Sequence, residues 1–337
     1  MSNNVYVRLI GRPFFETMGL LCLCIVGLLV SGGCGQEQRS VDLYVDAIML
    51  KELNENEKAV EKLNSAVRLN KDFSLAYSML GEIYQETEDY EKSIASYEKA
   101  TELNPWSFKD YFHLGQLYQI TKNPQWAVQA YTKACEIKPE DLEANINAAK
   151  AFYEIKDYNN ALAYGQRAEK IAPKVCEVQK LLGDVYESQK DYDLAVIFYN
   201  RALEMGGNNP EIMNALAVAY MKTERSSMAK DLLTSVIQIQ PDNKTAYKYL
   251  GFCCLQLKDV NESVQSYTKA IEIDNKDWES HRGLGVAYML QAKNEDGTID
   301  DAMKEKAIHQ WRLSLEINPN QPKNKKLLKL IRYYSKK

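Results

Sequence analysis

Three histidines, seven cysteines and one acidic loop are the places in this 337-residue chain where side-chain types could do chemistry. A catalytic histidine needs a nucleophile or an orienting carboxylate beside it, and no Ser, Cys or carboxylate constellation recurs around His113, His281 or His309. His281 falls on a core-facing helical point, which predicts a structural role. In the stretch from Asn294 to Asp301, Asn294, Asp296 and Gly297 mimic part of a helix-loop-helix calcium site. However, Ala292 stands where the first carboxylate ligand would be and Met303 where the bidentate glutamate would be, so the segment is read as a solvated turn. Cys135, Cys176, Cys253 and Cys254 show no CxxC or comparable metal spacing and read as small buried hydrophobes. A Cys135–Cys176 disulfide is the alternative. There is no glycine-rich phosphate loop, and neither a catalytic site, a metal nor a cofactor is expected.

The remaining reactive group is Cys34. Arg8 and Arg12 precede the apolar run from Met18 to Val30, which is short of the roughly 20 residues that span a membrane and predicts a cleaved export signal. Ser31, Gly32 and Gly33 then lead into Cys34. This order resembles the lipobox of bacterial lipoproteins, although Ser31 stands where that family prefers an aliphatic residue. The resemblance implies a signal peptide over 1–33, a diacylated Cys34 as the mature N-terminus, and a short polar tether over 34–39. A lipid chain contributes about 0.8 kcal/mol per buried CH₂, so several chains on one cysteine would hold the protein at a membrane. An uncleaved signal anchor and a plain secretory signal cut near Gly33 are the alternatives. All three place the rest of the chain outside the cytoplasm, facing the periplasm or exterior. Gly35 rather than aspartate after Cys34 is compatible with an outer membrane.

A 34-residue period governs the rest of the chain. Gly81, Gly115, Gly183, Gly251 and Gly285 fall on one lattice, with Ala149 and Ala217 at the intervening points. Tyr84, Tyr118, Phe152, Tyr186, Tyr220 and Tyr288 follow three places on, where Cys254 is the exception. Small residues recur twelve places on from Ser93 to Ser263, and again at Ala100, Ala134, Ala168, Ala202 and Ala270. Within one unit, Tyr77, Leu80, Gly81 and Tyr84 keep helical spacing, Glu88 and Asp89 interrupt it, and Ile94, Tyr97, Ala100 and Leu103 resume it. Asn104 followed by Pro105 closes the unit, because the residue before proline is pushed out of the α region. Pro139, Pro173 and Pro241 recur at that point, as does Pro319 once an insertion in the last unit is allowed for. One such hairpin cannot bury its own apolar face, but a stack of them can.

Leu80, Gly81, Tyr84, Ala95, Ala100 and Pro105 resemble the tetratricopeptide repeat signature. The resemblance covers residues 40–321 and implies an all-α, right-handed α-solenoid of eight helix-turn-helix units. They begin near Ser40, Ser74, Phe108, Leu142, Cys176, Pro210, Lys244 and Trp278. The first unit is degenerate, with Ala47 and Leu50 at the glycine and aromatic points. The eighth holds an insertion over about 293–306, whose last part, from Asp301 to Lys306, reads as an early start of its second helix. Residues 322–337 read as a basic amphipathic capping helix, or alternatively as a contact for anionic lipid headgroups. A 337-residue chain would ordinarily suggest two domains, but a solenoid grows by adding units and needs no boundary.

The resemblance also implies a groove lined by the first helices of successive repeats, which accepts a peptide or partner helix. Counted from the lattice, its residues are Ser78, Glu82, Gln85, Phe112, Gln116, Gln119, Ile146, Lys150, Tyr153, Lys180, Asp184, Asn214, Val218, Lys248, Phe252 and Arg282. The basic clamp by which part of the family grips acidic C-termini is missing: Lys180 has Asp184 one turn on, and Ala215 stands where an asparagine would be needed. Phe112, Ile146, Tyr153, Val218 and Phe252 suggest burial of an apolar segment. A net charge of −4 argues against nucleic acid as a partner. The expected function is a non-enzymatic, membrane-anchored scaffold binding another protein of the cell envelope. The alternative is a regulatory or targeting subunit of an envelope enzyme or of a polysaccharide or secretion system.

Overall fold

The computed structural model describes residues 35–294 and 298–335. The apolar run from Met18 to Val30, the lipidation candidate Cys34, and Asp296 and Gly297 of the acidic loop lie outside them. Among the described residues there are seventeen helices, and the only extended pairing is an antiparallel bridge between Lys293 and Ile299. The fold is an all-α solenoid of tetratricopeptide type. The chain divides into two compact units, Met1–Lys138 and Pro139–Lys337, where a single domain was expected. Contacts in a stack run only between neighbours, so a division can fall at a repeat junction without a linker.

The first unit holds three helical hairpins: α1 (Gly35–Glu52) with α2 (Asn56–Leu69), α3 (Ser74–Glu86) with α4 (Tyr90–Leu103), and α5 (Phe108–Ile120) with α6 (Pro124–Ile137). Residues 35–39, read as a tether, belong instead to α1. Gln36, Glu37, Gln38 and Arg39 are good helix formers, Glu37 sits favourably in the first turn, and Ser40 is fully buried with Oγ donating to Glu37 O at 2.9 Å. Ala47, Ala59, Leu63, Ala76, Leu80 and Ile83 form the core of the first two hairpins.

The second unit continues with α7 (Leu142–Glu154), α8 (Tyr158–Ile171), α9 (Cys176–Ser188), α10 (Tyr192–Gly206), α11 (Pro210–Lys222), α12 (Ser226–Ile239), α13 (Lys244–Gln256) and α14 (Val260–Ile273). It ends with α15 (Trp278–Gln291), α16 (Asp301–Ile317) and the cap α17 (Asn324–Ser335). First helices of successive repeats touch one another here, α7 with α9, α9 with α11, α11 with α13 and α13 with α15. The insertion lengthens α16 at its N-terminus, where the Asp300 carboxylate accepts from Met303 N at 2.7 Å. The cap buries Leu327 and Ile331 beside Trp311 and Ile308, while Leu328 and Leu330 stay exposed.

Two devices recur through the hairpins. Asn54, Glu88, Lys122, Lys156, Lys190, Glu224 and Lys258 all have left-handed φ between 59° and 66° and turn the first helix into the second. An acid usually follows: Asp89, Asp157 and Asp191 cap the second helix by accepting from the backbone N of Lys92, Asn160 and Leu194. At the crossing, each lattice glycine meets a ring sixteen residues on. A Cβ would lie 2.8 Å from Tyr97 at Gly81, and 2.6 Å from Tyr131 at Gly115 and from Tyr199 at Gly183. Gly285 meets Trp311 in the same way across the insertion. Where the lattice holds Ala149 or Ala217, the facing position holds Gly165 or Leu233 instead of a ring.

Candidate partner-binding faces

The residues expected to line a groove lie on the first helices, and most bond to their own chain. In the first unit, Lys109 of α5 and Lys51 of α1 both donate to Glu82 of α3, and Lys51 also reaches Glu86 at 3.0 Å. Burial alone would push the Glu82 carboxyl up, but the two lysine bonds outweigh it and hold it below the usual carboxylate range. Ser78 is buried and donates to Asp110 Oδ1. Gln119 accepts from Tyr131 Oη at 2.6 Å, and Phe112 stacks on Phe108 with ring centroids 5.7 Å apart. Gln85 and Gln116 are half-buried.

His113 sits behind this face, stacked 5.6 Å from Tyr97, with Nδ1 buried and unbonded. Burial and then the Lys109 charge push its pKa down, so it is neutral near pH 7 and offers no catalytic partner set. Beside it, Tyr44, Ser74, Leu75, Ser78, Met79, Glu82, Asn104, Ser107, Lys109 and Asp110 wall a cavity of about 150 Å³.

In the second unit the pairing runs from one first helix to the next. Lys150 reaches Glu177 at 2.5 Å, Lys180 reaches Glu211 at 3.1 Å, and Lys248 reaches Glu279. Lys180 also holds Asp184 at 2.9 Å, so it has no charge left for an acidic C-terminus. Tyr199 Oη lies 2.8 Å from both Asp184 Oδ1 and Glu187 Oε2. One phenol proton cannot serve two carboxylates at once, and burial together with the Asp184 charge pushes the Glu187 carboxyl up, which favours a proton there. Arg282 donates to Pro322 O at 3.0 Å, and Tyr153 Oη accepts from Ser188 Oγ at 3.1 Å. Val218 is half-buried, Asn214 has a buried Oδ1 without a partner, and Phe252 is 42% exposed. Ile146 corrects the expectation: it is only 5% exposed, packed among Ala168, Val178 and Leu182, and does not line a surface.

His281 is buried, with its ring nitrogens on Gln310 Oε1 and Asn275 O. No disulfide joins Cys135 and Cys176, so the disulfide alternative falls. Sequence spacing missed the grouping of Cys254, Asp259 and Glu262, whose ligand atoms lie within 4.8 Å of one another. The Lys230 ammonium bonds both carboxylates, at 2.8 and 2.6 Å, and burial pushes the Cys254 thiol up to about 12. A cation therefore already fills the acidic pair, and the protonated thiol is a poor ligand.

These hairpins, with a small residue at each lattice point and a ring packed on it wherever that residue is glycine, define a tetratricopeptide repeat protein. Residues 46–284, well over half of the chain, match the family described as Cilia and flagella-associated protein 70 C-terminal domain, and the chain belongs to that family. No curated protein matches it. Among solved structures, a chain of the APC/C hetero-tetramer Cut9-Hcn1 is 15% identical with a TM-score of 0.54, over 82% of this chain and 52% of that one. The pilF protein of Pseudomonas aeruginosa is 20% identical with a TM-score of 0.50, over 61% of this chain and 94% of its own. YrrB, described as a TPR protein with an unusual peptide-binding site, is 21% identical with a TM-score of 0.49, over 62% and 99%. At these identities the likeness is one of fold.

Proposed function

We propose that the chain is a non-enzymatic scaffold that binds a peptide or partner protein on its first-helix faces, and that lipid on Cys34 holds it at a membrane of the cell envelope. The observation that carries the binding reading is the self-neutralisation of these faces. Lysines and acids pair with each other from helix to helix, while Phe252 and Val218 remain for a partner. Such a face suits a segment that brings apolar contacts rather than a run of charge. The anchoring reading rests on the order of residues from Met18 to Cys34. Among the described residues no helix is long and apolar enough to cross a membrane.

The two halves of the proposal have separate tests. Intact-mass analysis of the N-terminal peptide from the native membrane fraction should show a diacylated Cys34, and an unmodified peptide still bearing residues 18–30 would replace the lipid with a signal anchor. Phe252→Asp with Val218→Asp should abolish recovery of a partner that co-purifies stoichiometrically with the wild-type chain. Undiminished recovery would move the binding surface elsewhere.

A further inference from the structure

Among the described residues of the first unit, Asp110 is a buried acidic group with no ion pair. It is 3% exposed, and its one side-chain bond is a hydroxyl proton from Ser78, while its backbone N donates to Ser107 Oγ. Among the described residues no cationic nitrogen pairs with it, because the nearby Lys51 and Lys109 are both committed to Glu82. Counting Lys51, Lys109, Glu82, Glu86 and Asp110, two positive charges face three negative ones, and the surplus is the buried carboxylate. The phenols report the same field: the pKa of both Tyr44 and Tyr97 is raised, by burial first and then by Glu82 and Asp110. Tyr97 Oη is buried without a partner, whereas its counterparts Tyr131 and Tyr199 are bonded. A buried carboxylate is costly unless a cation or several donors meet it.

Asp110 is not sealed in the core. It forms part of the wall of the 150 Å³ cavity, together with Ser74, Ser78 and Ser107 as hydroxyl acceptors, Leu75 and Met79 as an apolar side, and Glu82 with the Lys109 ammonium bonded to it. We propose that this cavity is a subsite for a lysine side chain of the bound partner, with the ammonium against Asp110 and the serine hydroxyls and the methylene stem against Leu75 and Met79. An ammonium offers three donors and a compact charge, and its stem is apolar, so one group answers both walls. The chain already does this elsewhere, where the Lys230 ammonium sits between Asp259 and Glu262. Leu75, 54% exposed, stands in the cavity wall at the surface.

The inference rests on the first-helix face being the binding surface, but its test needs no partner. The probe is n-butylammonium, titrated into the isotopically labelled full chain and followed by amide NMR. Butanol serves as the neutral control, and glycinamide represents a chain N-terminus. The expected result is saturable shifts at Ser78, Glu82 and Asp110 with butylammonium, at least tenfold weaker with glycinamide and absent with butanol. Asp110→Asn should abolish them, and so should Leu75→Trp, which narrows the cavity and leaves the carboxylate and its neighbours in place. Non-saturating shifts, shifts that survive both variants, or equal binding of glycinamide would overturn the lysine subsite. Loss of partner recovery in the Phe252 and Val218 variant, with butylammonium binding intact, would separate the two claims.

Discussion

Glu82 in the first unit and Glu187 in the second both lie on first helices, near a lattice glycine packed on a tyrosine, yet they hold their protons in opposite ways. Two lysine bonds keep Glu82 ionised, whereas burial and then the Asp184 carboxylate push Glu187 toward its neutral form against the Tyr199 hydrogen bond. The backbone scaffold is the same in both repeats. What differs is the cation supply: Lys51 and Lys109 reach Glu82 from neighbouring helices, while Lys180 is committed to Asp184 and Glu211. The repeat thus fixes where the face lies, and the residues at a few free points set its electrostatics.

The comparison breaks most sharply at the shared scaffold. Gly183→Ala puts a Cβ 2.6 Å from the Tyr199 ring, and Gly115→Ala does the same to Tyr131. Each should cost about 1–3 kcal/mol in urea unfolding, even though alanine favours the helix. Adding Tyr199→Leu to Gly183→Ala copies the Ala217 and Leu233 pair and should recover most of that loss. A harmless Gly183→Ala would contradict the packing account.

Smaller effects test the electrostatic contrast. For Glu187, the folded state binds more protons than the unfolded chain between the ordinary glutamate value and the raised one, so stability falls as pH rises through that window. Glu187→Gln should therefore raise Tm at pH 7 and change little near pH 4. For Glu82 the sign is reversed: its contribution is present above the ordinary glutamate value and is lost as pH falls through the lowered one. Glu82→Gln should lower Tm at pH 7 and narrow the difference in acid. Both shifts should stay below about 1 kcal/mol, because the groups are partly exposed. Smallest of all, Lys156→Gly and Lys190→Gly should each stabilise by a few tenths of a kcal/mol, since glycine relieves left-handed strain but adds unfolded-state freedom.

The 34-residue lattice made the architecture legible, because glycine, aromatic and proline points are dictated by backbone packing that every repeat shares. All the later first helices begin at the residues the period predicts, from Ser74 to Trp278, and α16 starts at Asp301 as expected. The left-handed turn residues stayed hidden because Lys and Glu carry no turn signature, although they too recur every 34 places. The faces were read less well. Counting from the lattice placed Ile146 outward, but the adjoining repeat covers it with Val178 and Leu182. Nor could spacing reveal that Lys150, Lys180 and Lys248 would be bonded by acids about 30 residues away, since those pairs form only when first helices lie side by side.

A photo-crosslinking amino acid placed at Phe252 on α13, and in a second chain at the equally exposed Ile197 on α10, tests the central claim most directly. The account predicts one discrete adduct from the Phe252 position in the native host, absent at Ile197. Equal labelling at both positions, or an adduct at Ile197 alone, would contradict binding on the first-helix face.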